Sequence, residues 1–210
     1  MAKIMPIVLA AGDSSRMGGF PKALLPLGQN TFLGHILDVL RAAGLSGCHL
    51  VLGSQAQEIR PVAAAHNARI TVNPQPERGQ FSSLRLALDP LDAACDGCLV
   101  WPVDQPWISP GLVRSLVVLF ESSAAQLALP RRHGASGHPA IFGRRLIEDL
   151  LAAPPEANPK DIIGPYRAAA AWLETEETGA FEDIDTPEDY FRLTGETLAD
   201  AIRRSAIMRD

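Results

Sequence analysis

Short, mainly apolar runs alternate along this chain with segments whose apolar residues recur every three or four positions. The runs, rich in Val, Ile and Leu, fall at residues 4–10, 49–53, 69–72, 98–103, 126–130, 139–142 and 171–174. Their length and β-branched content predict buried strands. Between most of them lie helical patterns, at 32–43, 81–88, 112–122 and 144–152. In the first of these, Phe32, Ile36, Leu37 and Leu40 fall on one face. Such alternation predicts an α/β three-layer sandwich, with a mostly parallel, Rossmann-like sheet between helices. In open sheets of this kind, ligands sit at the carboxyl ends of the strands. The Pro-rich stretch 154–159 reads as a loop. Thr186, Pro187 and Asp189 supply an N-cap, a first helical residue and a capping box for a late helix. A charged helix is expected to continue over about 192–208.

The 210 residues suit a single domain spanning 1–210, with 47% hydrophobic and 20% charged residues. Against 19 Lys and Arg stand 24 Asp and Glu, a formal charge of −5. That balance, without a basic run, argues against a nucleic-acid partner but leaves room for a local basic pocket for phosphates. No stretch is long and apolar enough to span a bilayer, so no membrane partner is expected. The first residues run directly into a strand pattern, and no signal peptide is expected. Three cysteines cannot all pair internally, which suits a reducing, cytoplasmic location. Cys95 and Cys98 have redox-motif spacing, but they precede a strand rather than opening a helix, and a redox role is not assigned. Trp101, Trp107 and Trp172 are assigned to packing.

The strongest chemical signal follows the first strand: Leu9-Ala10-Ala11-Gly12-Asp13-Ser14-Ser15-Arg16-Met17-Gly18-Gly19-Phe20-Pro21-Lys22. Ala10, Ala11 and Gly12 let a ligand approach the backbone. Gly12, Gly18 and Gly19 permit positive φ angles that aim N–H groups at an anion. Arg16 offers a planar fork for phosphate oxygens and Lys22 a compact charge. The string is neither the Walker pattern nor the dinucleotide fingerprint. A surface turn with solvated cations is the plainer alternative.

This string resembles the signature of nucleotidyltransferases with a glycosyltransferase-A-like fold, and most of all the molybdenum cofactor branch: CTP:molybdopterin cytidylyltransferase and its guanylyl relative. The resemblance implies a loop that wraps the triphosphate, with Leu9, Ala10, Ala11 and Gly12 against the nucleotide and Arg16 and Lys22 at the phosphates. Ala10-Ala11-Gly12 resembles the cytidylyl version; the guanylyl version carries Ala-Gly-Gly. Pro21-Lys22 is also similar to sugar-phosphate and methylerythritol-phosphate nucleotidyltransferases.

Asp104 ends the apolar run Leu99-Val100-Trp101-Pro102-Val103, with Pro102 and Pro106 halting the strand. A carboxylate there suits Mg²⁺, which takes few protein ligands; helix capping is the alternative, but Ser109 is the better cap. In Asp183-Ile184-Asp185, residues two apart share a face in an extended segment, so the carboxylates would point together while Ile184 faces inward. An acidic pre-helix stretch is the alternative. The resemblance places a second metal residue just before Thr-Pro-Glu-Asp, which falls on Asp185.

Asn73, Gly79, Ser82 and Ser83 set an amide, a turn and two hydroxyls around a helix start, groups able to read a pyrimidine edge. Ser82 could instead be a plain N-cap. The cytidylyltransferase resemblance extends here, its Gly-x-x-Ser-Ser-Leu-Arg run lining the nucleotide pocket. Arg131-Arg132-His133-Gly134-Ala135-Ser136-Gly137-His138-Pro139 looks like a clamp for an anionic acceptor, with a plain surface loop as the alternative. A Gly-His-Pro sequence on the acceptor side of the molybdenum branch falls on Gly137, His138 and Pro139. The expected reaction is attack of an acceptor phosphate on the α-phosphorus of CTP, with Mg²⁺ as cofactor and pyrophosphate as product. A molybdoenzyme is the expected recipient of that product. A sugar- or alcohol-phosphate acceptor, and a non-catalytic nucleotide-binding maturation factor for molybdenum hydroxylases, are the alternatives.

Overall fold

A computed structural model describes residues 2–207. The strands are β1 (Ile4–Ala10), β2 (Pro26–Leu27), β3 (Asn30–Thr31), β4 (His49–Leu52), β5 (Arg69–Val72), β6 (Gly97–Pro102), β7 (Leu127–Arg132), β8 (Ala135–Ser136), β9 (Ala140–Gly143) and β10 (Ala171–Glu174). The helices are α1 (Phe32–Ala42), α2 (Ala56–Ala65), α3 (Gln80–Leu88), α4 (Pro110–Ser122), α5 (Arg144–Ala152), α6 (Pro159–Arg167), α7 (Pro187–Thr194) and α8 (Leu198–Ile207). The main sheet runs β10-β7-β9-β6-β1-β4-β5, with β8 paired to β7 and a separate β2-β3 ribbon. Among the described residues, only β9, beside β6 and β7, and the short β8 run antiparallel in the main sheet. The mostly parallel α/β sandwich expected from the alternation is therefore the fold.

The two-residue period of the strands builds two cores. In β1, Ile4, Val8 and Ala10 face one helical layer; Ile7, Leu9 and the following Ala11 face the other. In β6, Leu99 and Trp101 join the first core, Cys98 and Val100 the second. The first layer contains α1, α2, α4, α7 and α8; the second contains α3 and α5, with α6 against it.

Three sequence readings need correction. Helix α2 lies where no helix was expected: Pro61 is inside it and only Ala56, Ile59 and Ala63 are buried, so its apolar stripe is thin. Helix α6 follows the Pro-rich loop, with Pro159 in its first turn, Asn158 as cap and Pro165 inside. The charged helix expected over 192–208 is two pieces, because Gly195 at φ 73° ends α7; position 208 lies outside the described residues. Both pieces belong to the domain core. The capping box of Thr186 and Asp189 starts α7, and the buried Tyr190 donates its hydroxyl to Pro26 O at 2.7 Å. Ala201 of α8 is fully buried.

Candidate active site

β1 and β6 are parallel neighbours with Leu9 opposite Pro102, so their following loops leave the sheet side by side. Val103 N donates to Leu9 O at 3.0 Å and keeps them together past the strand ends. On the far side, β4 ends beside β1, and Gly53 lies flat against the Ala11 carbonyl. A Cβ there would stand 2.4 Å from that oxygen, so only glycine permits the approach.

The loop after β1 is organised around Ser14, which is buried and left-handed at φ 55°. Its carbonyl accepts from Met17 N at 2.9 Å and Gly19 N at 3.2 Å; its hydroxyl accepts from Lys22 N at 3.0 Å. Gly18 and Gly19 take the expected positive φ angles, 66° and 78°. Gly12 does not adopt one; its contribution is space, since the position of its absent side chain is open and borders the cleft. This wrapping turns the chain so that Arg16 and Lys22 both face a cleft of about 550 Å³.

Asp104, two residues beyond β6, lines the same cleft. Its backbone carbonyl accepts from Ile184 N at 2.8 Å, which docks the segment before α7 directly alongside. Ile184 is 1% exposed, as expected for the inward residue of the pair of acids around it. Asp185 then meets both cations: Arg16 at 2.9 Å, and Lys22 through Nζ and Oδ1. The Lys22 ammonium also lies 4.0 Å from Asp104 Oδ2, so it stands between the two carboxylates. The Lys22 hydrogen bond, with Lys22 and Arg16 charge, holds Asp185 below the usual carboxylate range. Asp104 moves the other way. Burial, opposed by Lys22 and reinforced by Asp183 and Asp185, pushes it up to about 6.

Leu9, Ala10, Ala11, Gly12, Gly79 and Ser83 line this cleft. Asn73 and Ser82 do not; they border an adjoining depression. The buried Asn73 amide donates to Ser82 Oγ at 2.8 Å and Ser83 Oγ at 2.9 Å, and so clasps the start of α3. Ser82 is no N-cap either: its hydroxyl donates back to Gly79 O at 2.8 Å. Arg85, the last residue of that run, caps α5, donating to Leu150 O at 2.8 Å, Leu151 O at 3.0 Å and Ala153 O at 2.5 Å. His138 is also outside the cleft wall. Its backbone N donates to Ala180 O at 2.8 Å, and burial lowers its imidazole pKa, opposed by Asp183.

The sequence gives no reason to single out Gln105, yet its buried amide donates to Asp183 Oδ1 at 2.6 Å. That bond ties the loop after β6 to the acidic segment. Trp107 is 51% exposed, unlike the buried Trp101; its assignment to packing does not hold.

The donor set fits a divalent cation. Asp104 Oδ1 is buried and has no hydrogen-bond partner among the described residues. Asp185 lies across from it, with an ammonium standing in between. Among the described residues no cluster of three or more His, Cys, Asp or Glu is placed to hold a metal. Two carboxylates completed by phosphate oxygens and water is the pattern that suits Mg²⁺ or Mn²⁺ at a nucleotide.

Residues 6–171, which include Arg16, Lys22 and Asp104, match the MobA-like NTP transferase domain family. The chain belongs to that family. Its shared activity class is nucleotidyl transfer. Asp185 lies beyond the matched span. Among solved structures, Rv0371c of Mycobacterium tuberculosis H37Rv is 30% identical at a TM-score of 0.80, covering 93% of this chain and 98% of its own. A complex of Rv0371c with manganese, 27% identical at a TM-score of 0.75, covers 93% of this chain and all of the other. Nicotine blue oxidoreductase of Paenarthrobacter nicotinovorans is 33% identical over 198 residues, 89% of this chain and 94% of that protein. The bifunctional protein GlmU of Allorhizobium ampelinum is 29% identical over 162 residues, but this chain matches only 35% of its length.

Among the described residues, no helix is long and apolar enough to cross a membrane.

Proposed function

We propose that this protein transfers CMP from CTP to a phosphorylated acceptor, molybdopterin or its molybdenum-loaded form, and releases pyrophosphate. The observation that carries the reading is the convergence of Arg16, Lys22, Asp104 and Asp185 on one cleft at the carboxyl ends of β1 and β6. An acceptor phosphate oxygen attacks the α-phosphorus, and the bond to the bridging oxygen of the β-phosphate breaks. The acceptor phosphate is ionised at pH 7, so no general base is required.

Both reactants are anions, and positioning with charge neutralisation carries most of the rate. Asp104 and Asp185 would hold Mg²⁺, which when bound would supply neutralisation of phosphate charge. Arg16 and Lys22 offset charge on the departing pyrophosphate. Leu9 to Gly12, Gly79 and Ser83 enclose the nucleotide, while Asn73 acts one layer behind by holding the Ser82 and Ser83 hydroxyls in place. The acceptor-side role of His138 rests on the resemblance of Gly137-His138-Pro139 alone. The choice of CTP rests on Ala10-Ala11-Gly12, and that of molybdopterin on the resemblance of the loop and of Gly137-His138-Pro139.

The test is pyrophosphate release with each of the four NTPs, with and without molybdopterin, in Mg²⁺ or Mn²⁺. Release that requires molybdopterin and prefers CTP is expected; a clear GTP preference, or equal release with a sugar phosphate, overturns the substrate assignment.

The alternative that the sequence leaves open is a nucleotide-binding maturation factor that serves a molybdenum hydroxylase without turnover. A nucleotide-dependent complex with a molybdoenzyme, without pyrophosphate release, would favour it.

A further inference from the structure

Asp185 is bound on both of its oxygens by the two cations assigned above to the triphosphate. Arg16 NH1 is 2.9 Å from Oδ2, and Lys22 Nζ contacts Oδ1. The Lys22 side chain is only 15% exposed and reaches toward Asp104 as well, at 4.0 Å. The same two charges cannot fully serve a carboxylate and a phosphate at once, and the same carboxylate cannot fully serve two organic cations and a metal. The three contacts therefore form a closed set in the cleft. We propose that Lys22, assisted by Arg16, is a built-in occupant of the metal position: a divalent cation at Asp185 displaces it onto the phosphates, so that metal and triphosphate load together. This inference rests on the nucleotidyltransferase reading of the cleft and adds the order in which its charges are exchanged.

The two cations contribute unequally. Arg16 is 66% exposed, and a pair of that kind is screened and weak. Lys22 is largely shielded, bonds Asp185 and lies 4.0 Å from Asp104, so it carries most of the exchange. Asp183 is the natural control. It is a carboxylate two residues away whose recorded partner is Gln105, not Arg16 or Lys22. Loss of its charge alters the field in the cleft without opening the latch.

The consequence is a pair of opposite effects that a merely preformed site would not show. Removing the carboxylate should free the cations for an anion, and removing the ammonium should free the carboxylate for a metal. Inorganic pyrophosphate serves as the anion probe, because it is the product whatever base the enzyme selects. Calorimetry in EDTA should find pyrophosphate bound at least tenfold more tightly by Asp185→Asn than by the parent protein. Asp183→Asn should change it less than about threefold, a factor equivalent to well under 1 kcal/mol. In the nucleotide-free protein, Mn²⁺ titration followed by electron paramagnetic resonance should show tighter binding to Lys22→Met, although that variant binds pyrophosphate more weakly. In the parent protein each ligand should tighten the other by the same factor, as linkage requires.

Equal tightening by Asp183→Asn and Asp185→Asn would reduce the effect to general charge and overturn the latch. So would unchanged or weaker Mn²⁺ binding by Lys22→Met. Those outcomes leave the site itself intact, since pyrophosphate and Mn²⁺ would still bind. If neither probe binds a parent protein that melts cooperatively, the cleft reading fails and the latch fails with it. Melting curves of all three variants confirm that each is folded before its affinities are compared.

Discussion

Replacing Asp104 with Asn should stabilise the metal-free protein while it removes turnover. The carboxylate is held in a place that disfavours its charge: Oδ1 is buried without a partner, and Asp183 and Asp185 repel it. Its folded-state value of about 6 lies above the ordinary 3.8. Between those two values the folded chain binds more protons than the unfolded chain. Stability therefore falls as pH rises from about 4 through 6, and the full loss persists above that range. A difference of about two in pKa corresponds to about 3 kcal/mol at pH 7. The side chain keeps 30% of its exposure, so water in the cleft screens part of this. A gain of about 1–3 kcal/mol is expected for the near-isosteric amide. In a chain of this size that raises the melting temperature by about 2–12 °C. Thermal scans in EDTA should show the gain at pH 7 and its shrinkage toward zero at pH 4. Steady-state pyrophosphate release should fall by at least ~10²-fold, the usual loss for one charge contact in such a site. A variant that melts below the parent at pH 7, or a gain that is the same at both pH values, would refute the reasoning.

Other expectations are as direct. Lys22→Ala should remain folded and lose at least ~10² in turnover, read by the same pyrophosphate assay. Gly53→Ala should lose about 1–3 kcal/mol by thermal denaturation, because its Cβ would press on the Ala11 carbonyl at 2.4 Å. Arg85→Met should lose about 2–4 kcal/mol, since three carbonyls at the end of α5 lose a charged donor, while CTP affinity by calorimetry stays near the parent value. EDTA treatment should abolish pyrophosphate release, and Mg²⁺ or Mn²⁺ should restore it; activity that persists without divalent cation contradicts the assignment of Asp104 and Asp185.

The loop from Leu9 to Lys22 and the acid Asp104 were legible in the sequence because each directly follows an apolar strand, and strand ends are where such sheets gather chemistry. The pairing of Lys22 with Asp185 was not, because it joins positions 163 residues apart and depends on Ile184 docking beside Asp104. Ser82 and Ser83 show another limit. Consecutive residues on a helix point about 100° apart, so both hydroxyls rarely face one ligand, and here only Ser83 lines the cleft. The run also contains Arg85, whose length lets it serve α5 instead. Helices α2 and α6 were hidden by Pro61 and Pro165. The break at Gly195 was readable in principle, since glycine is the usual residue where a helix ends in the left-handed region.

The most direct test of the shared cleft is diffraction from crystals grown with CTP and Mn²⁺, recorded at the manganese edge. The account predicts an anomalous peak in contact with both Asp104 and Asp185, with Arg16 and Lys22 turned onto the phosphates. A peak elsewhere, or a triphosphate bound away from the loop after β1 while Lys22 stays on Asp185, would contradict it.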